Sequence, residues 1–275
     1  SCSFPLLVGA PVLTKISLNN SDVVISFRGN SKERTDNVYT TLKYFNATYS
    51  DYQVLLMEAD VAPKFDWNFL ADPKISHHFV YDNQPFPKSM LYNMAAKLSR
   101  SELLIFNDAD CIANPYVMSH CVKDLLSSQA IDIWCPFNEM IDVKGTLKKQ
   151  FCQELSYDVF AGIDGESLTD DCIYLSGMHT GGVNVCRRSS YIHYGGLNGK
   201  CRGWGPEDSE FHTRSVRLGM SWMSLKSPLF HLFHEQSARQ NIGFSESVKA
   251  DFAITDFGTI EEVEVLVKEM RQFFS

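Results

Sequence analysis

The chain has 275 residues, of which 44% are apolar and 21% charged, and its net charge is −8. That composition is ordinary for a globular protein and long enough to bury a full core. The acidic balance leaves no basic field to hold a phosphate backbone, so no nucleic-acid partner is expected.

The predicted elements alternate between strand and helix. Residues 23–27 form a β-branched run closed by a turn at Arg28-Gly29-Asn30. Residues 34–45 read as a helix, with Val38, Leu42 and Phe45 on one face. Residues 52–57 are a second strand, with Glu58-Ala59-Asp60 after its end, and residues 78–81 a third. Residues 88–100 repeat Leu91, Met94, Ala95 and Leu98 at helical spacing. Residues 102–106 are almost wholly apolar, as in a strand covered on both faces, and Asn107-Asp108-Ala109-Asp110 follows at once. Residues 115–127 are helical and 131–137 another buried strand. Residues 138–180 are less regular and acidic, and read as an inserted segment over the site. A strand over 181–187 begins at Gly181-Gly182; a helix over 207–218 and strands over 220–225 and 228–233 follow. Residues 259–274 close the chain as an amphipathic helix, with Val263, Leu266, Val267, Met270 and Phe274 inward. The pattern predicts an α/β fold, a mostly parallel sheet with helices on both faces, in one domain. In such sheets ligands bind beyond the carboxyl ends of the strands, where Arg28 to Asn30, Glu58 to Asp60 and Asp108 to Asp110 fall.

No apolar run reaches the roughly 18 residues that a membrane span needs. Residues 4–13 are apolar but short and lack a preceding basic region, which makes a poor signal peptide. The eight cysteines lie at least ten residues apart, with no CxxC or zinc-finger spacing. Buried reduced thiols, and hence a reducing compartment, are expected. The adjacent basic pairs, Lys148-Lys149 and Arg187-Arg188, are expected on solvated faces.

Three motifs carry chemistry. Asp108-x-Asp110 closes a buried strand, where two acids are expensive without a cation or other partners. Such hard oxygen ligands favour Mg²⁺ or Mn²⁺. His231-x-x-His234 lies far along the chain, beside Glu235. The two rings can face one ion if the backbone bends there, which shifts preference toward Mn²⁺; the other reading is a pair of satisfied core histidines. Gly203-Trp204-Gly205-Pro206-Glu207-Asp208 offers a flat aromatic face and two carboxylates as a helix begins. One reading is a helix cap, with Asp208 as the capping acid. The other is sugar recognition, with a carboxylate as general base.

Taken in order, these pieces resemble a known family. Phe27-Arg28 with Arg34 and Asn37, then Phe86-Pro87-Lys88-Ser89 with Asn93, then the run to Asp110, are similar to the nucleotide-sugar half of GT-A glycosyltransferases. Thr180 to Val183, Gly195 to Asn198, Gly203 to Asp208, Arg214, Gly219 and His231 to His234 resemble the carboxy-terminal signature of β-1,4-galactosyltransferases and bacterial chondroitin-polymerase-type enzymes. The resemblance implies a single GT-A (Rossmann-like) domain over 1–275. Residues 23–137 would be the nucleotide-sugar-binding half, 138–180 a variable segment, 181–235 the acceptor and metal half, and 236–275 a C-terminal helical tail. It implies transfer, with inversion, of a hexose or N-acetylhexosamine from a UDP-sugar to a saccharide or glycoconjugate hydroxyl, with Mn²⁺ (or Mg²⁺). By position, Asp110, His231 and His234 would hold the metal. Phe27, Arg28, Arg34, Glu58, Phe86, Lys88 and Asp108 would line the donor pocket, and Gly182, Trp204 and Glu207 would hold sugars. Asp208 would be the base. Pro206 departs from the family's usual glycine and puts loop geometry there in question.

A retaining GT-A transferase of the polypeptide N-acetylgalactosaminyl type is the alternative, although Glu-Asn is usual there in place of Glu207-Asp208. A two-carboxylate hydrolase is disfavoured because adjacent acids do not easily flank one bond, and a non-catalytic carbohydrate-binding module would need no nucleotide pocket. The expected location is cytoplasmic, with peripheral attachment to the inner membrane face allowed, or the Golgi lumen if an anchor precedes the sequence.

Overall fold

A computed structural model describes residues 14–176, 180–203, 205–235 and 245–275. In chain order they form β1 (Ile16–Phe27), α1 (Lys32–Thr48), β2 (Tyr49–Asp60), β3 (Ile75–Tyr81), α2 (Lys88–Leu98), β4 (Leu103–Asn107), β5 (Cys111–Ile112) and α3 (Pro115–Ser127). Next come β6 (Ile133–Cys135), β7 (Glu139–Val143), α4 (Gly145–Glu154), β8 (Cys172–Ser176), β9 (Val183–Arg187) and α5 (Arg188–His193). The last are α6 (Glu207–Arg217), β10 (Trp222–Ser224), β11 (Pro228–Leu232), α7 (Glu246–Phe257) and α8 (Ile260–Arg271).

Helix starts follow local chemistry. The Ser31 hydroxyl accepts from Arg34 N at α1. Asn114 accepts from Tyr116 N and Val117 N ahead of Pro115, which fits the first position of α3 because its missing N–H is not needed there. Thr259 and Glu262 form a reciprocal capping box at α8.

The main sheet has seven strands in the order β10-β6-β9-β4-β1-β2-β3. All neighbours are parallel except those of β9, which runs antiparallel between β4 and β6. Strand alternation sorts the core onto two faces. Val23, Ile25, Val54, Leu56, Leu103 and Ile105 belong to one cluster, and Val24, Leu55, Met57, Leu104 and Phe106 to the other. Val38 and Leu42 of α1 and Met118 and Val122 of α3 cover the first face. Leu91 and Ala95 of α2, Tyr191 of α5 and Phe211 of α6 cover the second. The α/β class with helices on both faces is thus as expected.

The described part of the region 138–180, residues 138–176 and 180, is not an irregular insert. β7 and β8 join β11 and β5 in a second sheet of order β5-β11-β7-β8. Phe151 and Phe160 are fully buried, and Phe160 stacks on Phe230 of β11 with ring centroids 4.1 Å apart. Its acidic turns hide a strand of only five residues whose core positions are Met140, Ile141 and Val143. Glu58 to Asp60 do not follow β2 but complete it, paired with Phe79 to Tyr81. Arg187 is not on a solvated face: it is 4% exposed, and its guanidinium donates to the carbonyls of Leu125 and Ser128 at the end of α3.

α7 falls within the expected helical tail of 236–275 but does not read as a separate helix in the sequence, because its buried positions are Val248, Asp251 and Thr255, a stripe too polar to show as periodicity. It matters through α6. Arg214, fully buried, donates to both oxygens of Glu210, to Gly196 O and to Tyr194 O, while Thr255 donates to Glu210. Arg217 donates to the carbonyls of Ile254, Thr255 and Gly258. The C-terminal helices therefore fix the helix that begins with Glu207 and Asp208. Arg214→Ala strands a buried carboxylate and is expected to cost about 3–5 kcal/mol, read by urea denaturation. A loss below about 1 kcal/mol would refute this role for the pair.

Candidate active site

The carboxyl ends of β1 and β4 open onto a cavity of about 1390 Å³. Its wall includes Phe27, Arg28, Arg34, Phe86, Lys88, Asp108, Asp110, Asp142, Gly182, Glu207, Asp208, His231 and His234. Of the residues singled out from the sequence, Glu58 is not among them, and Trp204 lies outside the described residues.

One side of the cavity is built by the turn after β4. The Asn107 side chain donates to Asp108 O and Cys111 O, and Asp108 N donates to Gly182 O at 2.8 Å. β5 then pairs antiparallel with β11, setting Cys111 opposite His231. Leu232 N donates to Asp110 O at 2.8 Å, and β11 ends there. The bend that follows brings both rings onto one acid. His231 Nε2 is 3.3 Å from Asp110 Oδ1, and His234 Nε2 is 3.1 Å from Asp110 Oδ2. α1 supports this corner from behind: Asn37 donates to Leu232 O at 2.7 Å, and Thr41 to Ala109 O at 2.9 Å.

The protonation pattern of this trio calls for a cation. His231 Nδ1 lies 2.5 Å from Asp142 Oδ1 and His234 Nδ1 lies 3.1 Å from Glu235 O. A carboxylate and a carbonyl can only accept, so each Nδ1 carries a proton, and each neutral ring would aim an Nε2 lone pair at Asp110. A positive charge must sit between them, either a proton or a metal ion. Burial alone would depress His231, but Asp110 and Asp142 lift it to about 10. Burial would raise Asp110, yet His231 and His234 hold it well below the usual carboxylate range. The ligand atoms of Asp110, His231 and His234 lie within 4.8 Å of one another. Two imidazole nitrogens and a carboxylate fit a first-row divalent ion, Mn²⁺ among them.

Asp108 is occupied differently. Tyr92 donates to its Oδ1 at 2.8 Å, and Lys88 Nζ lies 3.1 Å from the same atom. Lys88 and Tyr92 stand one turn apart on α2, which places both side chains on one helix face. Burial and the charges of Asp208 and Asp110 raise Asp108 despite Lys88. Lys88 Nζ is also 3.0 Å from Asp208 Oδ2, so one ammonium joins the two sides of the cavity. Burial would lower Lys88, but Asp108 and Asp208 hold it well above its ordinary value.

The other side is the start of α6. Asp208 is not its capping acid: Pro206 occupies the cap position with no side-chain hydrogen bond. The Pro206 carbonyl accepts from Glu210 N, so the cap residue supplies the acceptor that α6 uses, a role that proline can fill. Gly203, at φ +76, donates to Phe86 O at 2.9 Å and ties this loop to the first half of the chain. Gly181 packs against the Asp208 carboxylate with no room for a Cβ. Glu207 is 7% exposed, and its Oε2 has no partner among the described residues. Burial and adjacent Asp208 push Glu207 up to about 7.

That shift has a consequence for stability. The unfolded chain ionises this acid from about pH 4.5, whereas the folded chain holds the proton to about pH 7. The folded state thus binds more protons in that window, and stability falls as pH rises through it. Glu207→Gln is expected to melt higher than the parent at pH 8, with the difference shrinking toward pH 5, as calorimetry at both pH values would read. Equal melting shifts at both would contradict it.

The donor-side residues divide. The Arg28 guanidinium donates to Ala59 O and Gln84 O, both at 2.7 Å, and to Asp82 O at 3.1 Å. It holds the 82–86 loop and leaves little donor capacity for a ligand. Arg34 Nε, by contrast, is buried with no partner among the described residues. Glu58 is fully buried and receives Lys64 N, Phe65 N and His77 Nε2. Its oxygens are spent on the loop that folds back over β2, which corrects its assignment to the donor pocket. The acid with an open oxygen at that strand end is Asp60, whose Oδ2 is buried and unpartnered among the described residues. Asp142 and Tyr92 are site residues that the sequence reading missed. The only signal for Asp142 was an acid inside the run Met140 to Val143.

Comparison with known proteins bears on one segment directly. Residues 171–235 match the family model described as the N-terminal domain of galactosyltransferase. No curated protein matches the chain in sequence. Among solved structures, the catalytic domain of Drosophila β1,4-galactosyltransferase 7 in complex with xylobiose is 13% identical, with 84% of this chain and 79% of that chain covered and a TM-score of 0.48. A mutant of the Drosophila enzyme in complex with manganese, UDP-Gal and xylobiose is 13% identical, with 82% and 67% covered and a TM-score of 0.42. The matched segment carries Gly182, Glu207, Asp208, His231 and His234, so the part of the chain that supplies one side of the cavity and both histidines is similar to galactosyltransferases.

Proposed function

We propose that the chain, as one domain, is a metal-dependent inverting transferase that moves a hexose or N-acetylhexosamine from a UDP-sugar to a hydroxyl of a saccharide or glycoconjugate. The observation that carries this reading is the shared cavity: Asp110, His231 and His234 on one side, Glu207 and Asp208 on the other, with Lys88 between. The Drosophila complex with manganese, UDP-Gal and xylobiose has the same ligand classes.

Asp110, His231 and His234 would hold the metal, which supplies Lewis-acid stabilisation of a leaving diphosphate. Lys88 and the open Arg34 Nε supply further positive charge for the phosphates. Phe27 and Phe86 offer apolar surface to the nucleoside. Glu207 Oε2, buried and unpartnered, suits a sugar hydroxyl. Asp208 would take the proton from the acceptor hydroxyl as that oxygen attacks the anomeric carbon from the face opposite the diphosphate. Proton NMR of the product from an α-linked UDP-sugar tests the stereochemistry: a β linkage is expected, and an α linkage would assign the retaining mechanism instead.

A further inference from the structure

We propose that Asp142 is a positioning residue of the metal site, fixing which nitrogen of His231 faces the ion. This rests on the metal reading above. Asp142 lies outside the span 171–235 that matches a family model and outside the motifs by which the chain resembles its relatives.

Strand register makes the contact. β7 and β11 are parallel neighbours with Asp142 opposite His231, so both side chains leave the sheet on the same face. Asp142 stands between Ile141 and Val143, both fully buried, and is itself 8% exposed. A carboxylate there is costly unless paired. Its partner is His231 Nδ1, at 2.5 Å. Because the carboxylate can only accept, Nδ1 keeps its proton, and Nε2 is the nitrogen left to ligate, 3.3 Å from Asp110 Oδ1. Without Asp142 the ring is free to take the other tautomer, whose Nε2–H cannot bind a metal, and to rotate. Strand packing alone would not require an acid, since any residue of that size fills the position between Ile141 and Val143. A carboxylate behind a ligating histidine typically contributes 10–100-fold in metal affinity.

The test is Mn²⁺ affinity, measured by electron paramagnetic resonance of the free ion on the full chain, with circular dichroism of each variant. Asp142→Ala is expected to bind Mn²⁺ about 10–100-fold more weakly than the parent. Asp142→Asn, which keeps an acceptor oxygen, is expected to fall between, and it is the variant to read if the alanine protein does not fold. Asp142→Ala added to His231→Ala should cause no further loss. A folded Asp142→Ala protein with parental Mn²⁺ affinity would overturn the proposal and leave the metal site standing, as would a full further loss in the His231→Ala background. Failure of the parent chain to bind Mn²⁺ would overturn the metal reading and this proposal with it.

Discussion

Asp208→Asn is expected to lower turnover by about 10²–10⁴-fold, with donor affinity and melting temperature close to the parent's. The substitution keeps the size of the side chain and one oxygen toward Lys88 Nζ, 3.0 Å away in the parent. What it removes is the capacity to accept a proton. Glu207 is the rival base, because burial and Asp208 bring it to about 7, a value suited to proton transfer. The two acids are separated by the kinetic parameter each controls. If Glu207 holds a sugar, Glu207→Gln raises KM for that substrate more than it lowers kcat. If Glu207 is the base, the pattern reverses and Asp208→Asn keeps near-parental turnover. Steady-state kinetics of the two variants on one acceptor decides it.

Asp110→Ala is the second large effect. It removes the one carboxylate that both Nε2 atoms face, and leaves two imidazoles with no acid between them. Metal-assisted stabilisation of a leaving group is worth several kcal/mol, so turnover is expected to fall by about 10³-fold or more. Asp108→Asn should cost less in metal affinity, because Asp108 is held by Tyr92 and Lys88 rather than by the histidines. Titration of Mn²⁺ into both variants reads the ranking. Equal loss in the two would place Asp108 among the ligands.

The division of the site between these acids was only partly legible in the sequence. Asp108-x-Asp110 and His231-x-x-His234 could be named as metal candidates because each lies where a strand ends, and the fold brings strand ends together. Residue spacing alone did not separate the four, and only the resemblance pointed to Asp110, His231 and His234; the observed geometry had no signal of its own. That geometry depends on β5 pairing with β11, a two-residue strand with no periodicity to read, and on the bend after Leu232. The mostly parallel sheet with helices on both faces followed from alternating apolar runs, since those runs are what two covered faces require; its division into two sheets did not.

Glu58 and Asp142 mark where sequence pattern stops being informative. Glu58 closes an apolar run much as Asp108 does, yet the loop at 61–66 turns back and spends its oxygens on Lys64 N and Phe65 N. A loop that folds back has no period. Asp142 sat in a segment whose acidic turns outweighed a five-residue strand, and only the register with β11 shows why an acid belongs there. The role of α7 was hidden for a related reason: it meets α6 through polar groups, Thr255 and backbone carbonyls, which leave no period in the sequence.

The proposed function requires that this cavity bind a UDP-sugar with a divalent metal and transfer the sugar. A panel of UDP-sugars incubated with the protein and Mn²⁺, scored for UDP release and repeated with excess chelator, tests it most directly. Release from at least one UDP-hexose or UDP-N-acetylhexosamine is expected, lost with the chelator and restored by Mn²⁺. Binding of no UDP-sugar in the presence of Mn²⁺, or release indifferent to the chelator, would contradict it.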